Sequence, residues 1–186
     1  MCSSDLLNAV RAEVLPGTDF LHPVSVLSAL NRAFPMERHE EMYFTIWYGV
    51  YDRRTRLLRW SGGGHPPPLL FTPGHRDPQA LGSDGPIVGA IEGVGFAENE
   101  TAVPAGSRLY IYSDGAFEIV KPDGGMSPFE DFRAFLRGLW AGGGEGRPQP
   151  PDGGGGALDA FLAHARAISG GRGFVDDLSI VGIDFP

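Results

Sequence analysis

The sequence predicts an α+β fold in which helices flank a group of mostly antiparallel strands. Two observations support this prediction. Apolar residues recur at helical spacing near both ends of the chain, whereas the middle contains short runs of aromatic and β-branched residues that are typical of strands. Because the helical and strand-like segments are grouped and do not alternate, the pattern favours an α+β arrangement over an alternating α/β one.

Two short amphipathic helices are predicted at the start of the chain. Ser3 or Ser4 can cap the first helix, and Pro16 followed by Gly17 ends it. Pro23 suits the first position of the second helix, since proline lacks the N–H that this position leaves unbonded. Two helices of this kind need a further surface to cover their apolar faces.

The strands that supply this surface begin at residues 42–51, which are rich in aromatic and β-branched side chains. A polar turn at 52–55 connects them to residues 57–61, and the two segments form a predicted hairpin. A stretch of glycine and proline at 62–68 then leads to a third short strand at 69–71.

The next part of the chain is predicted to contain a loop and further strands. Residues 73–85 are polar and predict a loop, whereas 86–91 and 95–103 are weaker strand candidates. The turn at 104–106 precedes a strand at 108–112, where apolar and aromatic residues are continuous.

Helices return in the last third of the sequence. Ser127 is the expected N-cap of a helix, with Pro128 at its first position and Glu130 completing a capping box. A last helix is predicted over 158–168, and a closing strand over 178–183.

The composition fits one folded domain. The chain has 186 residues, of which 42% are hydrophobic, so it can bury a core despite its 28 glycines and 16 prolines. Eight of these glycines and three of these prolines lie in residues 142–156, which we expect to be a mobile loop. We therefore expect a single domain over residues 1–186.

The charge and the cysteine content exclude several classes of function. The net charge of −8 leaves no basic excess to neutralise nucleic-acid phosphates. The single cysteine, Cys2, permits neither an intrachain disulfide nor a cysteine metal site. No apolar run is long enough to span a membrane, and the first residues do not resemble a signal peptide. These features predict a cytoplasmic protein without membrane or nucleic-acid partners.

Two carboxylates stand at the ends of predicted strands. Asp114 follows the strand at 108–112, and Asp176 precedes the closing strand together with Asp177. Carboxylates without histidine or cysteine nearby suit hard cations such as Mg²⁺ or Mn²⁺. Asp-Gly is also the commonest kind of turn, and an aspartate before a strand often caps a loop. From the local pattern alone both interpretations stay open, and the turn is favoured.

Other residues with chemical potential have weaker support. His65 could be a base or a ligand, yet no serine, cysteine or histidine has matching spacing, so a connection shaped by glycine and proline is the favoured interpretation. The run of glycines before it lacks the ending of a phosphate-binding loop. The sequence contains no nucleophile elbow either.

Several motifs in order resemble the bacterial PPM (PP2C-like) phosphatases of the RsbU and SpoIIE type. The resemblance covers nearly the whole chain and includes the run Ser113-Asp114-Gly115. It is carried by residues 42–50, 61–70, 85–89, 109–118 and 174–181.

The resemblance implies an αββα sandwich, with two antiparallel sheets between helical layers and a two-metal Mn²⁺ or Mg²⁺ site. It implies hydrolysis of phosphoserine or phosphothreonine by a metal-activated water. The substrate would be a phosphorylated protein, commonly an anti-anti-sigma (STAS) factor. Asp114 and Asp176 match two metal ligands of the family, whereas Asp177, Gly115 and His65 would support the ligands or be structural. Whether the chain forms a homodimer is left open.

The sequence departs from the family at its start. The first two strands of the family, with a Gly-Asp and an Asp-x-Ser-Gly-His-Gly sequence, have no counterpart here, and these strands carry the other metal ligands. Asp114 and Asp176 alone would hold at most one cation weakly, because divalent hard ions take about six oxygens. We therefore expect either a shortened phosphatase, weak or inactive as written, or a domain that binds a partner without catalysis. The first alternative is favoured.

Overall fold

A computed structural model describes residue 12 and residues 15–38, 43–141 and 156–186. The helices and strands of these residues are α1 (Pro23–Ala33), β1 (Ile46–Asp52), β2 (Leu57–Gly63), β3 (Leu69–Phe71), β4 (Gln79–Ala80), β5 (Asn99–Ala102), β6 (Ser107–Tyr112), α2 (Phe129–Ala141), α3 (Ala157–Ile168) and β7 (Ile180–Phe185). None of the helices in this part of the chain is long and apolar enough to cross a membrane.

The chain divides into two compact units. The first unit is Met1–Pro67 with Gly82–Val103, and the second is Pro68–Leu81 with Pro104–Pro186. Each unit contains one antiparallel sheet, with strand order β1-β2-β5 in the first and β4-β3-β6-β7 in the second.

In the first unit, α1 packs against β1 and β2. Val26 and Leu30 of α1 are fully buried, and Ile46 and Tyr48 of β1 pack against their cluster. These two strand residues are separated by two positions and therefore lie on one face of the sheet. Apolar residues at helical spacing thus cover one face of a strand pair, as the sequence predicts.

In the second unit, the core lies between the sheet and the helices α2 and α3. Tyr112 of β6 packs against Phe132 of α2, with ring centroids 4.6 Å apart, and Phe132 contacts Phe161 of α3 at 5.4 Å. All three rings are buried. Aromatic pairs of this kind bury a large apolar area and lock the helices against the end of β6.

Helices mixed with antiparallel sheets confirm the predicted α+β class. The strand predicted at 69–71 has the observed bounds, β6 and α3 lie within one residue of their predictions, and α2 begins one residue after its predicted first position. The predicted first helix lies mostly outside the described residues, as does the loop predicted at 142–156. Whether the chain is a single phosphatase domain stays a prediction.

Several predicted strand limits were wrong. β1 begins at Ile46 instead of residue 42, β2 continues through Gly62 and Gly63, and β4 forms inside the predicted polar loop. Residues 86–91 form no strand beyond an isolated bridge at Val88. In each case the pairing partner decides the limit, because Gly63 pairs with Ile46 and β4 pairs with β3. These partners are not visible in a local sequence window.

Candidate functional site

Two strand ends meet in the second unit. β6 ends at Tyr112 and β7 begins at Ile180, and these two residues pair at the end of the antiparallel ladder. One step further, the N–H of Ser113 donates to the carbonyl oxygen of Ser179 over 3.0 Å. The segment that follows β6 therefore runs beside the segment that precedes β7, and each carries a predicted ligand.

The side chain of Ser113 joins the two segments. Its hydroxyl donates to the carbonyl oxygen of Asp177 over 2.8 Å and accepts the N–H of Ser179 over 2.9 Å. The sequence pattern assigns Ser113 no role of its own. A hydroxyl residue directly before the strand-end aspartate was the available signal, because serine side chains readily bond to backbone groups.

Asp114 and Asp176 are both exposed at these strand ends. Asp114 begins the 3₁₀ turn Asp114–Ala116, and its Oδ1 accepts the N–H of Gly115 over 3.0 Å. Oδ1 of Asp176 accepts the N–H of Asp177 over 2.7 Å. One oxygen of each carboxylate is therefore held by its own backbone, which restricts the orientation of the group and leaves its other oxygen for a ligand.

Gly115 marks the closest approach of the two segments. A Cβ atom at this position would lie 2.6 Å from the carbonyl oxygen of Asp177 and 3.0 Å from its carbonyl carbon. Real Cβ atoms do not approach a backbone oxygen so closely, so the packing of these segments requires glycine here. The predicted supporting role of Gly115 thus has a specific steric basis.

The strand pair below the site is held at both ends. Burial raises the pKa of the Tyr112 hydroxyl above its ordinary value, because the ring lies in the aromatic core next to Phe132. At the other end, the guanidinium of Arg108 donates to both carboxylate oxygens of Asp184 over 2.6 and 2.7 Å. This bidentate hydrogen bond raises the pKa of Arg108 above its ordinary value, although partial burial of the guanidinium acts in the opposite direction. Arg108 and Asp184, which pair across the ladder, therefore join β6 to β7 through their side chains at the end away from the site.

A small recess opens beside the two segments. Gly115, Glu118 and the predicted ligand Asp176 are among its lining residues. The others are Ile119, Val120, Ser169, Gly173, Phe174 and Val175.

Asp177 and His65, the other two predicted site residues, form hydrogen bonds with nearby groups. The backbone carbonyl of Asp177 accepts the hydroxyl of Ser113, whereas its side chain is exposed. His65 belongs to the first unit, and its Nδ1 donates to the carbonyl oxygen of Pro66 over 2.7 Å. The structure therefore brings Asp114, Gly115, Asp176 and Asp177 to one place, while His65 forms a contact within its own loop.

The donor chemistry of the site suits a hard cation, but the number of donors is too small. Asp114 and Asp176 offer carboxylate oxygens, which Mg²⁺ and Mn²⁺ prefer. Within the described ranges, however, no group of three or more histidine, cysteine, aspartate or glutamate side chains is arranged to hold a metal. The described residues alone therefore do not form a complete metal centre.

Comparison with known proteins gives two sequence matches. The profile of the family described as Stage II sporulation protein E (SpoIIE) matches residues 1–186. Phosphoserine phosphatase RsbU of Bacillus subtilis is 24% identical over 118 residues, an alignment that covers 63% of this chain and 34% of RsbU. The chain thus spans about a third of the length of this curated relative.

Solved structures share the fold. The PP2C phosphatase domain of SpoIIE from Bacillus subtilis, solved with a fragment of its regulatory domain, has a TM-score of 0.72 at 15% identity. It matches 98% of this chain and 50% of that one. The SiaA-PP2C domain of Pseudomonas aeruginosa has a TM-score of 0.71 at 18% identity, covering 98% of this chain and 67% of that one. The predicted PP2C-like fold is therefore confirmed.

Proposed function

The chain belongs to the SpoIIE family, and from this premise we propose that it is a metal-dependent protein serine/threonine phosphatase domain of bacterial signalling. The observation that carries the proposal is the pair of exposed carboxylates, Asp114 and Asp176, on strand ends that Ser113 joins. Both belong to the motifs that the family resemblance assigns to metal binding.

The proposed substrate is a phosphorylated regulatory protein in the cytoplasm. RsbU, the relative with sequence similarity, is a phosphoserine phosphatase. The family resemblance favours a STAS-type anti-anti-sigma factor as the phosphoprotein. The exposure of Asp114 and Asp176 suits a substrate of this size, because a phosphoserine on a protein surface can reach an open site more easily than a closed pocket.

The proposed cofactor is Mn²⁺ or Mg²⁺, which would supply the Lewis acid of the reaction. RsbX, a solved structure with a TM-score of 0.59 to this chain, was crystallised in complex with magnesium. Asp114 and Asp176 would contribute two ligands, and Ser113 and Gly115 would keep the two segments in place. The other ligands would have to come from outside the described residues.

The proposal is tested by hydrolysis of p-nitrophenyl phosphate at millimolar Mn²⁺. We expect D114N and D176N each to lower the rate at least about 100-fold, because each removes a charged ligand of the ion that the reaction needs. The neighbouring variant D177N is the matched control and should keep most of the activity, since the contact of Asp177 with Ser113 uses its backbone carbonyl.

Equal activity of D114N, D176N and the wild-type protein would contradict the proposed role of these carboxylates. Absence of hydrolysis both by this chain and by a longer natural protein that contains it would overturn the phosphatase function.

A second candidate function is partner binding without catalysis. The observation that favours it is the lack of a third suitably placed ligand among the described residues. Affinity for a STAS-type protein that survives both D114N and D176N would support this candidate. Affinity that disappears on chelation of divalent ions would instead show that the metal is functional.

A further inference from the structure

The hairpin between β1 and β2 is the most basic part of this acidic protein. Arg53, Arg54, Arg56 and Arg59 are four of the 15 basic residues of a chain whose net charge is −8. They lie within seven positions, and Arg53 and Arg54 are exposed at the turn. A concentration of one charge against the overall sign of the protein attracts partners of the opposite charge.

The single aspartate of the hairpin is engaged by the turn itself. Oδ1 of Asp52 accepts the N–H of Arg54 over 2.8 Å and the N–H of Thr55 over 3.3 Å. The hydrogen bond from the backbone of Arg54, followed by those from Thr55, holds the pKa of Asp52 below its ordinary value. The carboxylate therefore shapes the turn, and the charge of Arg54 makes a smaller contribution to its lowered pKa.

A recess lies on one face of this hairpin. Val50 and Asp52 of β1 pair with Arg59 and Leu57 of β2, so these four side chains share a face. Together with Arg54 and Thr55 they line a recess of about 270 Å³. This is close to the lower limit of about 300 Å³ for small-ligand pockets, and so it suits a single side chain.

The helix α1 covers the other end of the same face. Ile46 and Tyr48 lie on the face of β1 that also carries Val50, and they pack against the cluster that contains Leu30 of α1. The recess is therefore the part of this face that the helix leaves open. Its apolar part is formed by Val50 and Leu57, and its basic part by Arg54 and Arg59.

The basic side chains of the recess are only weakly neutralised. Arg59 forms one ion pair, in which its Nε lies 3.5 Å from a carboxylate oxygen of Glu100. The side chains of this pair are 42% and 62% exposed, so water and salt screen it. Among the described residues, Arg54 forms no ion pair. A carboxylate placed between Arg54 and Arg59 would gain charge-assisted hydrogen bonds in competition with Asp52, which lines the same recess, and with the exposed Glu100.

We propose that this recess is a docking site for an acidic segment of the protein substrate. An aspartate or glutamate side chain would pair with Arg54 and Arg59, while its methylene groups contact Val50 and Leu57. The inference rests on the proposed phosphatase function for the identity of the partner, but the site itself is independent of catalysis.

The test is binding of a fluorescein-labelled hexaglutamate peptide to the full chain, followed by fluorescence anisotropy at low ionic strength. We expect R54E/R59E to weaken binding by about tenfold or more, because it replaces attraction with repulsion at both sides of the recess. The matched control R76E/R166E changes the net charge equally at two exposed arginines elsewhere, and should alter binding by less than about twofold.

Equal losses in the two double variants would overturn the proposal, because net charge alone would then explain binding. The proposal would also be overturned if the wild-type chain does not bind the peptide, or if a single-stranded oligonucleotide of equal charge binds the hairpin more tightly. Thermal unfolding checks that R54E/R59E is folded. If R54E/R59E is not folded, the single variant R54E, at an exposed position, is measured instead. We expect it to weaken binding of the peptide by about threefold.

Hydrolysis of p-nitrophenyl phosphate by the same preparations separates this proposal from the proposed function. This substrate has no acidic segment, so R54E/R59E should hydrolyse it at the wild-type rate. Hexaglutamate binding by the chain, with no phosphoester hydrolysis by either the chain or a longer natural protein that contains it, would refute the phosphatase function and leave the docking site supported.

Discussion

At the scale of single residues, the candidate site depends on small groups as much as on its two aspartates. Ser113 bonds to both Asp177 and Ser179, and Gly115 allows the carbonyl of Asp177 to approach. Asp114 and Asp176 are the proposed metal ligands, and the packing of the two segments that carry them depends on these two neighbours. A change at Ser113 or Gly115 should therefore affect the site without altering its charge.

Gly115→Ala should destabilise the protein by about 1–3 kcal/mol, because the new methyl group forces apart two backbone segments that are already in contact. The control is Gly138→Ala in α2, where a Cβ meets nothing within 4 Å. That change should stabilise the protein by about 0.5–1 kcal/mol, since alanine is the better helix former. The measurement is the free energy of unfolding in urea. A Gly115→Ala protein as stable as the wild type would show that the segments separate at no cost.

At the scale of elements, the packing of α2 on β6 decides the environment of the strand end. Tyr112 is 2% exposed and lies against Phe117, Phe129 and Phe132. These residues come from the turn after β6 and from α2. The aromatic cluster thus connects the helix to the segment that carries Asp114, and loss of this packing would loosen the site.

The same burial predicts a dependence of stability on alkaline pH. The pKa of Tyr112 is raised in the folded protein from its ordinary value of 10.0. The unfolded chain therefore loses this proton first, so the stability that depends on neutral Tyr112 is complete below about pH 10 and decreases as the pH rises above it. Tyr112→Phe should remove this part of the decrease.

The measurement is the free energy of unfolding between about pH 9 and pH 11, a range that brackets the ordinary tyrosine pKa. Tyr43→Phe serves as the control, because Tyr43 is 60% exposed. An alkaline loss of stability that is as steep in Tyr112→Phe as in the wild type would contradict the prediction.

At the scale of the whole molecule, the chain combines a PP2C-like fold with too few metal ligands among its described residues. The family profile matches residues 1–186, yet the chain spans 34% of RsbU and 50% of the SpoIIE structure. The described residues contain the two proposed ligands, Asp114 and Asp176, and no group of three that could hold a metal.

Titration with Mn²⁺ followed by thermal unfolding should show weak stabilisation of the chain as written. Two carboxylates imply a dissociation constant in the millimolar range, and a metal at ten times that constant stabilises the folded state by about 1.4 kcal/mol. The shift should vanish with EDTA and in D114N/D176N. Strong stabilisation at micromolar Mn²⁺ would mean that a complete set of ligands is present in the chain.

Much of the fold was predictable because its signals are local. The strand β6 and the helices α2 and α3 are marked by continuous apolar runs, helical spacing and capping residues. These patterns act within a few positions of the chain, where the sequence determines the outcome directly. The short strand β4 had no such signal, because its existence depends on pairing with β3.

The sequence by itself determined the α+β class, the strand end before Asp114 and the resemblance that the family match confirms, whereas the strand after Asp176 begins two residues later than predicted. Only the tertiary structure decided that Ser113 and Gly115 hold these ends together, and that His65 contacts its own loop. The hydrogen bond from Ser179 to Ser113 joins residues 66 positions apart. Contacts over such distances depend on how the whole chain packs, and no local pattern of residue types records them.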